Sequence, residues 1–273
     1  MRIGIFGANE IGIKFGLLCS KHFDVGIFDE DEKVIESLNS KTYTTWDTHQ
    51  LRLLYETERL SGTTSPIDLI TSYDLLFTFA DTPNNVDGSF DTRKVFEYVN
   101  YFHNVSQLDI PIVDKKLIVG SNMNVGETYQ IQKRLHMFNV QVGNVSSEFE
   151  DIQVLYVGTE YQELADMAIQ VYRKLSRHAI KMFVMSSNAS EISHMFVNLF
   201  KLNKIVLSNL ISNYVVEMGL NSELNTILLA LNSTPNHDQL EFSFGYGGTK
   251  SADINKSFLK LLESSKSPTR LVK

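Results

Sequence analysis

Near the N-terminus the run Gly7-Ala8-Asn9-Glu10-Ile11-Gly12 follows a short apolar stretch and precedes an amphipathic one. Glycines spaced this way at a strand-to-helix turn can cradle a dinucleotide. The first makes the tight turn, the second lets the backbone approach a pyrophosphate, and the third lets helix and strand pack closely. Here the first and third are present and Asn9 stands at the middle position. Asn tolerates positive φ better than most residues, so the turn can survive. Its side chain is nevertheless expected to crowd the place of the phosphate. Asp29 follows Gly7 by 22 residues, close to the offset of roughly 20 at which an acid accepts ribose hydroxyls. A carboxylate there repels a 2′-phosphate, which favours NAD over NADP. The competing reading is a βαβ unit that keeps its turn glycines for packing and holds no nucleotide.

Other chemistry is sparse. The seven His residues are scattered, the nearest two (His178 and His194) lying 16 positions apart, so no local His pair suggests a metal and none is expected. Asp29-Glu30-Asp31-Glu32 reads as one cofactor acid followed by a solvated helix start. The single Cys, Cys19, falls in the first helical stretch and reads as a small core residue. One Cys allows no internal disulfide, which fits a reducing cytoplasm. His194 could serve as a general base, since its ordinary pKa suits that task. It could equally be a hydrogen-bonded structural residue.

These groups need elements to position them. Short β-rich runs alternate with amphipathic stretches through the first two-thirds of the chain, the signature of a parallel sheet flanked by helices. Strands are predicted at residues 2–7, 24–29, 75–80, 116–120, 140–144, 154–158 and 179–184. Helices are predicted at 11–20, 31–38, 91–103, 127–138 and 160–176. Residues 42–65 give no clear pattern. From Ala189 to Met218 apolar residues recur at helical spacing without Gly or Pro, which predicts one long helix ended by Gly219. Further helices are expected at 222–231 and 252–263, around a Gly-rich loop. The expected fold is α/β: a Rossmann-like doubly wound parallel sheet over residues 1–186, then a helical domain with one long central helix over 187–273.

With that frame, the chain resembles the nucleotide-sugar dehydrogenase family, the UDP-glucose 6-dehydrogenase and GDP-mannose dehydrogenase group. Phe79-Ala80-Asp81-Thr82-Pro83, followed by Gly88 and Asp91, resembles the Thr-Pro turn beside the nicotinamide ribose. Val119-Gly120-Ser121-Asn122 with Gly126 resembles the family's Ser-Thr-x-x-x-Gly strand end, and residues 144–149 its Asn-Pro-Glu-Phe-Leu segment. Glu191-Ile192-Ser193-His194 with Asn198 falls on the long-helix signature Glu-Leu-x-Lys-x-x-x-Asn. Gly245-Tyr246-Gly247-Gly248, then Asp253, resembles the Gly-Phe-Gly-Gly-x-Cys loop. The resemblance implies NAD as cofactor at Gly7, Asn9, Glu10, Ile11, Gly12, Asp29, Thr82 and Ser121. It implies catalytic roles for Glu148, His194, Asn198 and Asp253, and a sugar-binding role for the loop Gly245, Tyr246, Gly247 and Gly248. Each has a plainer alternative: Glu148 as a loop residue, Asn198 as a helix-packing residue, the loop as a simple turn.

The family oxidises a sugar primary alcohol to an acid and reduces two NAD, and its second step needs a cysteine thiolate near the Gly-rich loop. Here that stretch reads Thr249-Lys250-Ser251-Ala252. The family Lys is His194, the strand-end Thr is Asn122, the second of two acids falls on Ile152, and no Arg occurs between Arg177 and Arg270. The expectation is a chain unable to form a sugar acid by the family route. Only 25 residues follow Gly248, so the C-terminal domain that grips the nucleotide sugar is expected to be absent.

Composition narrows the partners. An apolar fraction of 43% with 11% aromatics is inconsistent with a chain disordered throughout. A net charge of −7 gives no electrostatic ground for nucleic acid or an anionic membrane. No run reaches the roughly 20 apolar residues of a membrane span, and the strand pattern at Arg2 to Gly7 predicts no signal-peptide leader. The apolar face of the long helix (Phe196, Leu199, Phe200, Leu202, Val206, Leu210, Val215) predicts a homodimer, or pairing with a full-length homologue. Function remains open between a compact NAD-linked oxidoreductase, acting on a nucleotide sugar or a smaller alcohol, and a non-catalytic interaction protein. A separate chain supplying the missing half is a third reading.

Overall fold

The computed structural model describes residues 1–45, 52–54, 56–108, 110, 112, 114–145, 149, 152–176, 178–232, 256 and 260. By internal packing the chain divides into two compact units, residues 1–83 with 90–192, and residues 84–89 with 193–273.

In the first unit eight strands form one sheet: β1 (Arg2–Phe6), β2 (Asp24–Phe28), β3 (Leu60–Thr63), β4 (Leu75–Thr78), β5 (Lys116–Val119), β6 (Gln141–Val145), β7 (Val154–Gly158) and β8 (Lys181–Met185). Their spatial order is β3-β2-β1-β4-β5-β6-β7-β8. The first six run parallel, with Phe6 opposite both Phe28 and Thr78. β4 and β5 are buried along their whole length, as strands covered by helices on both faces must be. β7 departs from the parallel expectation, since it lies antiparallel to β6 while β8 is parallel to β7.

Among the described residues the helices with given bounds that flank the sheet are α1 (Glu10–Cys19), α2 (Glu32–Asn39), α3 (Pro66–Ser72), α4 (Arg93–Ser106), α5 (Glu127–Leu135) and α6 (Gln162–Leu175), and residues 52–54 and 56 are also helical. One core cluster joins α1, α2 and α6 to the sheet through Phe15, Leu17, Cys19, Ile35 and Val171. The other joins α3, α4 and α5 through Leu69, Tyr98, Phe102 and Ile131. This is the doubly wound arrangement. Among the described residues, β3 and α3 were not anticipated. β3 lies inside the unreadable 42–65 stretch, and α3 begins on Ser65, whose hydroxyl accepts the Asp68 N–H at 3.2 Å, with Pro66 in its first turn.

The long helix is α7 (Ser187–Glu217), followed by Gly219 at φ +73° and by α8 (Leu224–Asn232). Phe196, Phe200, Val206 and Leu210 on α7 are exposed, whereas Val215 is buried and does not belong to that exposed face. Among the described residues no helix is long and apolar enough to cross a membrane. The Gly-rich loop and most of the last expected helix lie outside the described residues, although Lys256 and Lys260 are helical.

Candidate functional site

The chain winds outward from β1 to β3 and returns at β4 on the other side of β1. Such a reversal opens a crevice outside the carboxyl ends of the strands, where ligands of open α/β sheets bind. Gly7 ends β1 and is held at φ +104°, a conformation glycine enters without a Cβ penalty. At Gly12 close approach decides instead, because a Cβ there would lie 2.0 Å from the Gly7 carbonyl oxygen. The turn itself requires both glycines.

Asn9 behaves differently from expectation. Its φ is −75° and its ψ 174°, so the middle position uses no positive φ. Asn9 is the N-cap of α1, with Oδ1 accepting the Gly12 N–H at 2.8 Å. Its Nδ2 donates to the Phe79 carbonyl at 2.5 Å and to Asp81 Oδ1 at 3.0 Å. The carboxamide is thus engaged by the helix cap and by the end of β4. The first-turn N–H groups of Glu10 and Ile11 have no intrahelical acceptor. Such donors, at the positive end of a helix, are suited to a phosphate.

Asp29 directly follows β2. Its Oδ2 accepts the Ala8 N–H at 2.8 Å and its Oδ1 the Asp31 N–H at 3.0 Å, which ties the acid to the glycine turn. Thr82 is half-buried after β4. Ser121 follows β5, with Oγ 3.5 Å from the Thr78 carbonyl oxygen. Gly7, Asn9, Glu10, Ile11, Gly12, Asp29, Thr82 and Ser121 therefore all fall just beyond the carboxyl ends of β1, β2, β4 and β5.

A glycine turn, a crevice and an acid anchored beside them are what a dinucleotide needs, and these residues fit NAD.

The catalytic candidates are distributed otherwise. His194 and Asn198 stand four apart in sequence on α7, within the second unit. Glu148, Asp253 and Gly245 to Gly248 lie outside the described residues. Cys19 is fully buried, and burial pushes its thiol pKa well above the ordinary value. It is held as a neutral core residue.

Two clusters near the crevice escaped the sequence. Glu191, at the start of α7, accepts the Gly126 N–H at 2.6 Å and the Thr128 N–H at 3.0 Å, so one carboxylate caps α5 from a distant helix. Burial raises its pKa against the pull of these donors. Beside it, Glu127 accepts the Thr92 hydroxyl at 3.0 Å and the Asn124 N–H at 2.9 Å, while Asn124 holds both backbone groups of Phe90. The loops after β4 and β5 are thereby joined. The sequence marks Glu191 only as part of a helix signature, and its polar surroundings in Ser187-Asn188-Ala189-Ser190 give no sign of its burial. The second cluster is Glu30, Lys94 and Tyr101, with Lys94 Nζ 2.7 Å from Glu30 Oε2 and the Tyr101 hydroxyl donating to the same carboxylate. Nothing in the sequence spacing links residues so far apart. Among the described residues no group of three His, Cys, Asp or Glu could hold a metal ion.

Comparison with known proteins bears on this site. The model of the UDP-glucose/GDP-mannose dehydrogenase family, NAD binding domain, matches residues 1–176. UDP-glucose 6-dehydrogenase of Streptococcus pneumoniae is 24% identical over 268 residues, covering 91% of this chain and 65% of that protein. The protein of the same name from Rickettsia typhi is 23% identical over 260 residues, covering 91% and 60%. This chain therefore spans less than two thirds of the length of these curated relatives. The structure of a UDP-glucose dehydrogenase from Pyrobaculum islandicum superposes with a TM-score of 0.86 at 16% identity, covering 99% of this chain and 66% of that one. At that identity the likeness shows the fold.

Proposed function

The chain belongs to the UDP-glucose/GDP-mannose dehydrogenase family, and on that premise we propose that it holds NAD at the Gly7–Gly12 turn without completing the Cys-dependent oxidation to a sugar acid. The observation that carries the cofactor reading is the junction of Asp29 with the turn, 2.8 Å from Asp29 Oδ2 to the Ala8 N–H. The Glu10 and Ile11 N–H groups hold the diphosphate, and the second Asp29 oxygen accepts a ribose hydroxyl. Thr82 and Ser121 border the nicotinamide ribose. Bound NAD supplies a hydride acceptor.

The rest of the proposal rests on what the chain offers that acceptor. The family route needs a thiolate, and the stretch after Gly248 offers the hydroxyls of Thr249 and Ser251 but no Cys. Cys19 is buried and neutral. His194 replaces the family Lys; as a neutral imidazole it can take a proton from an alcohol but lends no fixed positive charge to an oxyanion. Glu148, Asn198 and Asp253 are the remaining candidates for contact with a sugar. A nucleotide sugar is the ligand class the relatives' names suggest. We assign the chain to the cytoplasm and to a homodimer, the latter on the exposed Phe196, Phe200, Val206 and Leu210 of α7. A monomer mass by light scattering would overturn the dimer.

Incubation with UDP-glucose and NAD, followed by NADH absorbance, tests the catalytic part. The expected result is no turnover yielding two NADH per sugar. Robust two-NADH turnover would sink the proposal, and release of a single NADH would favour an alcohol dehydrogenase with His194 as base.

A further inference from the structure

Two aromatic contacts fix where α4 begins. Tyr98 stacks on Phe6 with ring centroids 5.2 Å apart, and Tyr101 meets Phe28 edge-on at 5.4 Å. Phe6 and Phe28 are the last residues of β1 and β2. The first turns of α4 are therefore packed against the strand ends that carry the glycine turn and Asp29. Lys94, in the first turn, lies 2.7 Å from Glu30 and 3.0 Å from Glu97, with its ammonium 5.4 Å from the Tyr98 ring centroid. Tyr101 donates to the other oxygen of Glu30. Arg93, the neighbouring cation, is engaged with Asp91 at 2.5 Å.

Glu30 is the residue immediately after the acid assigned to the adenosine ribose, and a 2′-phosphate would extend from that ribose. A phosphate there needs a cation with an unsatisfied charge, usually an Arg near this strand end. The only described cation bonded to Glu30 is Lys94, and it stands between two carboxylates.

Resting on the NAD reading above, we propose that Glu30 reinforces the coenzyme choice made by Asp29, by holding Lys94, together with Glu97, in a pair braced by Tyr101 so that this cation is withheld from a 2′-phosphate. Asp29 repels that phosphate directly; Glu30 removes the partner that could offset the repulsion. The lowered pKa of Glu30, caused first by the Lys94 bond and then by the Tyr101 hydroxyl, keeps the pair ionised at neutral pH. Lys94 loses some basicity to burial, but its bonds to Glu30 and Glu97 outweigh this and hold its pKa up.

Titration of the full chain with NADH and NADPH, read by nicotinamide fluorescence, tests the proposal without requiring turnover. Wild type should bind NADH, with NADPH weaker by about tenfold or more. Glu30→Gln should narrow that gap by about fivefold through tighter NADPH binding, and Glu30→Gln combined with Lys94→Met should restore it. Tyr101→Phe, which keeps both charges, should narrow it to a smaller extent and serves if the Glu30 variant folds poorly. Normal NADH binding with an unchanged gap in Glu30→Gln overturns this assignment alone, as does a gap that stays narrow in the double variant. Failure of wild type to bind either nucleotide overturns the NAD reading and this proposal with it.

Discussion

Asn9 offers the sharpest test of how the turn works, because sequence and structure give it opposite roles. If its side chain crowds the phosphate, Asn9→Gly restores the middle glycine and should tighten NAD binding strongly. The structure turns the carboxamide into the protein, onto Gly12, Phe79 and Asp81. Replacement by Ala removes an N-cap, about 1 kcal/mol, and the bond to the Phe79 carbonyl, about another 1 kcal/mol. The Asp81 contact is exposed and adds little. At about 2 to 4 °C per kcal/mol for a domain of this size, thermal unfolding should shift down by about 4 to 8 °C. Asn9→Gly keeps most of the cap, since Gly costs only a few tenths of a kcal/mol there, and should lose about half as much. Its NAD affinity by calorimetry should stay within about threefold of wild type, because no obstruction is removed. An unchanged melting temperature in Asn9→Ala, or a tenfold gain in affinity in Asn9→Gly, would refute this account of the turn.

Other outcomes are open to the same instruments. Gly12→Ala places a Cβ 2.0 Å from a backbone oxygen, which no side-chain motion relieves, so the variant should lose NAD binding and melt well below wild type. Glu191→Ala leaves one buried and one part-buried N–H group at the start of α5 unpaired and should cost about 2 to 4 kcal/mol in chemical denaturation. Because burial raises the Glu191 pKa, the folded state holds its proton more tightly than the unfolded chain does. The residue's contribution to stability is therefore fully present below the ordinary glutamate value and declines as pH rises through the folded pKa. Glu191→Gln should flatten that decline in denaturation midpoints measured from pH 4 to 8, and an unchanged slope would count against it. Cys19 should resist a thiol reagent in the native protein and react once it is unfolded; fast native reaction would contradict its burial.

Much of this fold could be read from the chain because most strands are continuous apolar runs. β1, β4 and β5 sit under helices on both faces, and that burial is written in Ile3, Ile5, Leu75–Phe77 and Leu117–Val119. β3 could not be read, since Leu60-Ser61-Gly62-Thr63 is a half-exposed edge with one large apolar residue. α3 left a signal in Ser65, Pro66 and Asp68 that is too short to give a period. The antiparallel turn of β7 was also encoded, less visibly. Only residues 146–153 separate β6 from β7, too few for the crossover of a dozen or more residues that a parallel pair needs.

The site divides along the same line. The positions of Gly7, Gly12 and Asp29 were legible because they depend on local geometry and on an offset set by one strand and one helix. The partners of Asn9 were hidden, because Phe79 and Asp81 are brought to it by the return of β4. Glu191 and the Glu30–Lys94 pair were hidden for the same reason: 65 residues separate Glu191 from Gly126, and 64 separate Glu30 from Lys94. Contacts of that range follow from topology rather than spacing.

Calorimetric titration of NAD into the wild-type chain, with Asp29→Ala as its control, tests the central claim most directly. The account predicts one NAD per chain, and an affinity at least about tenfold weaker in the variant, since a lost hydrogen bond to a charged acceptor is worth about 1.5 kcal/mol or more. Absence of binding heat at millimolar NAD in the folded wild-type protein, or an affinity untouched by loss of Asp29, would contradict it.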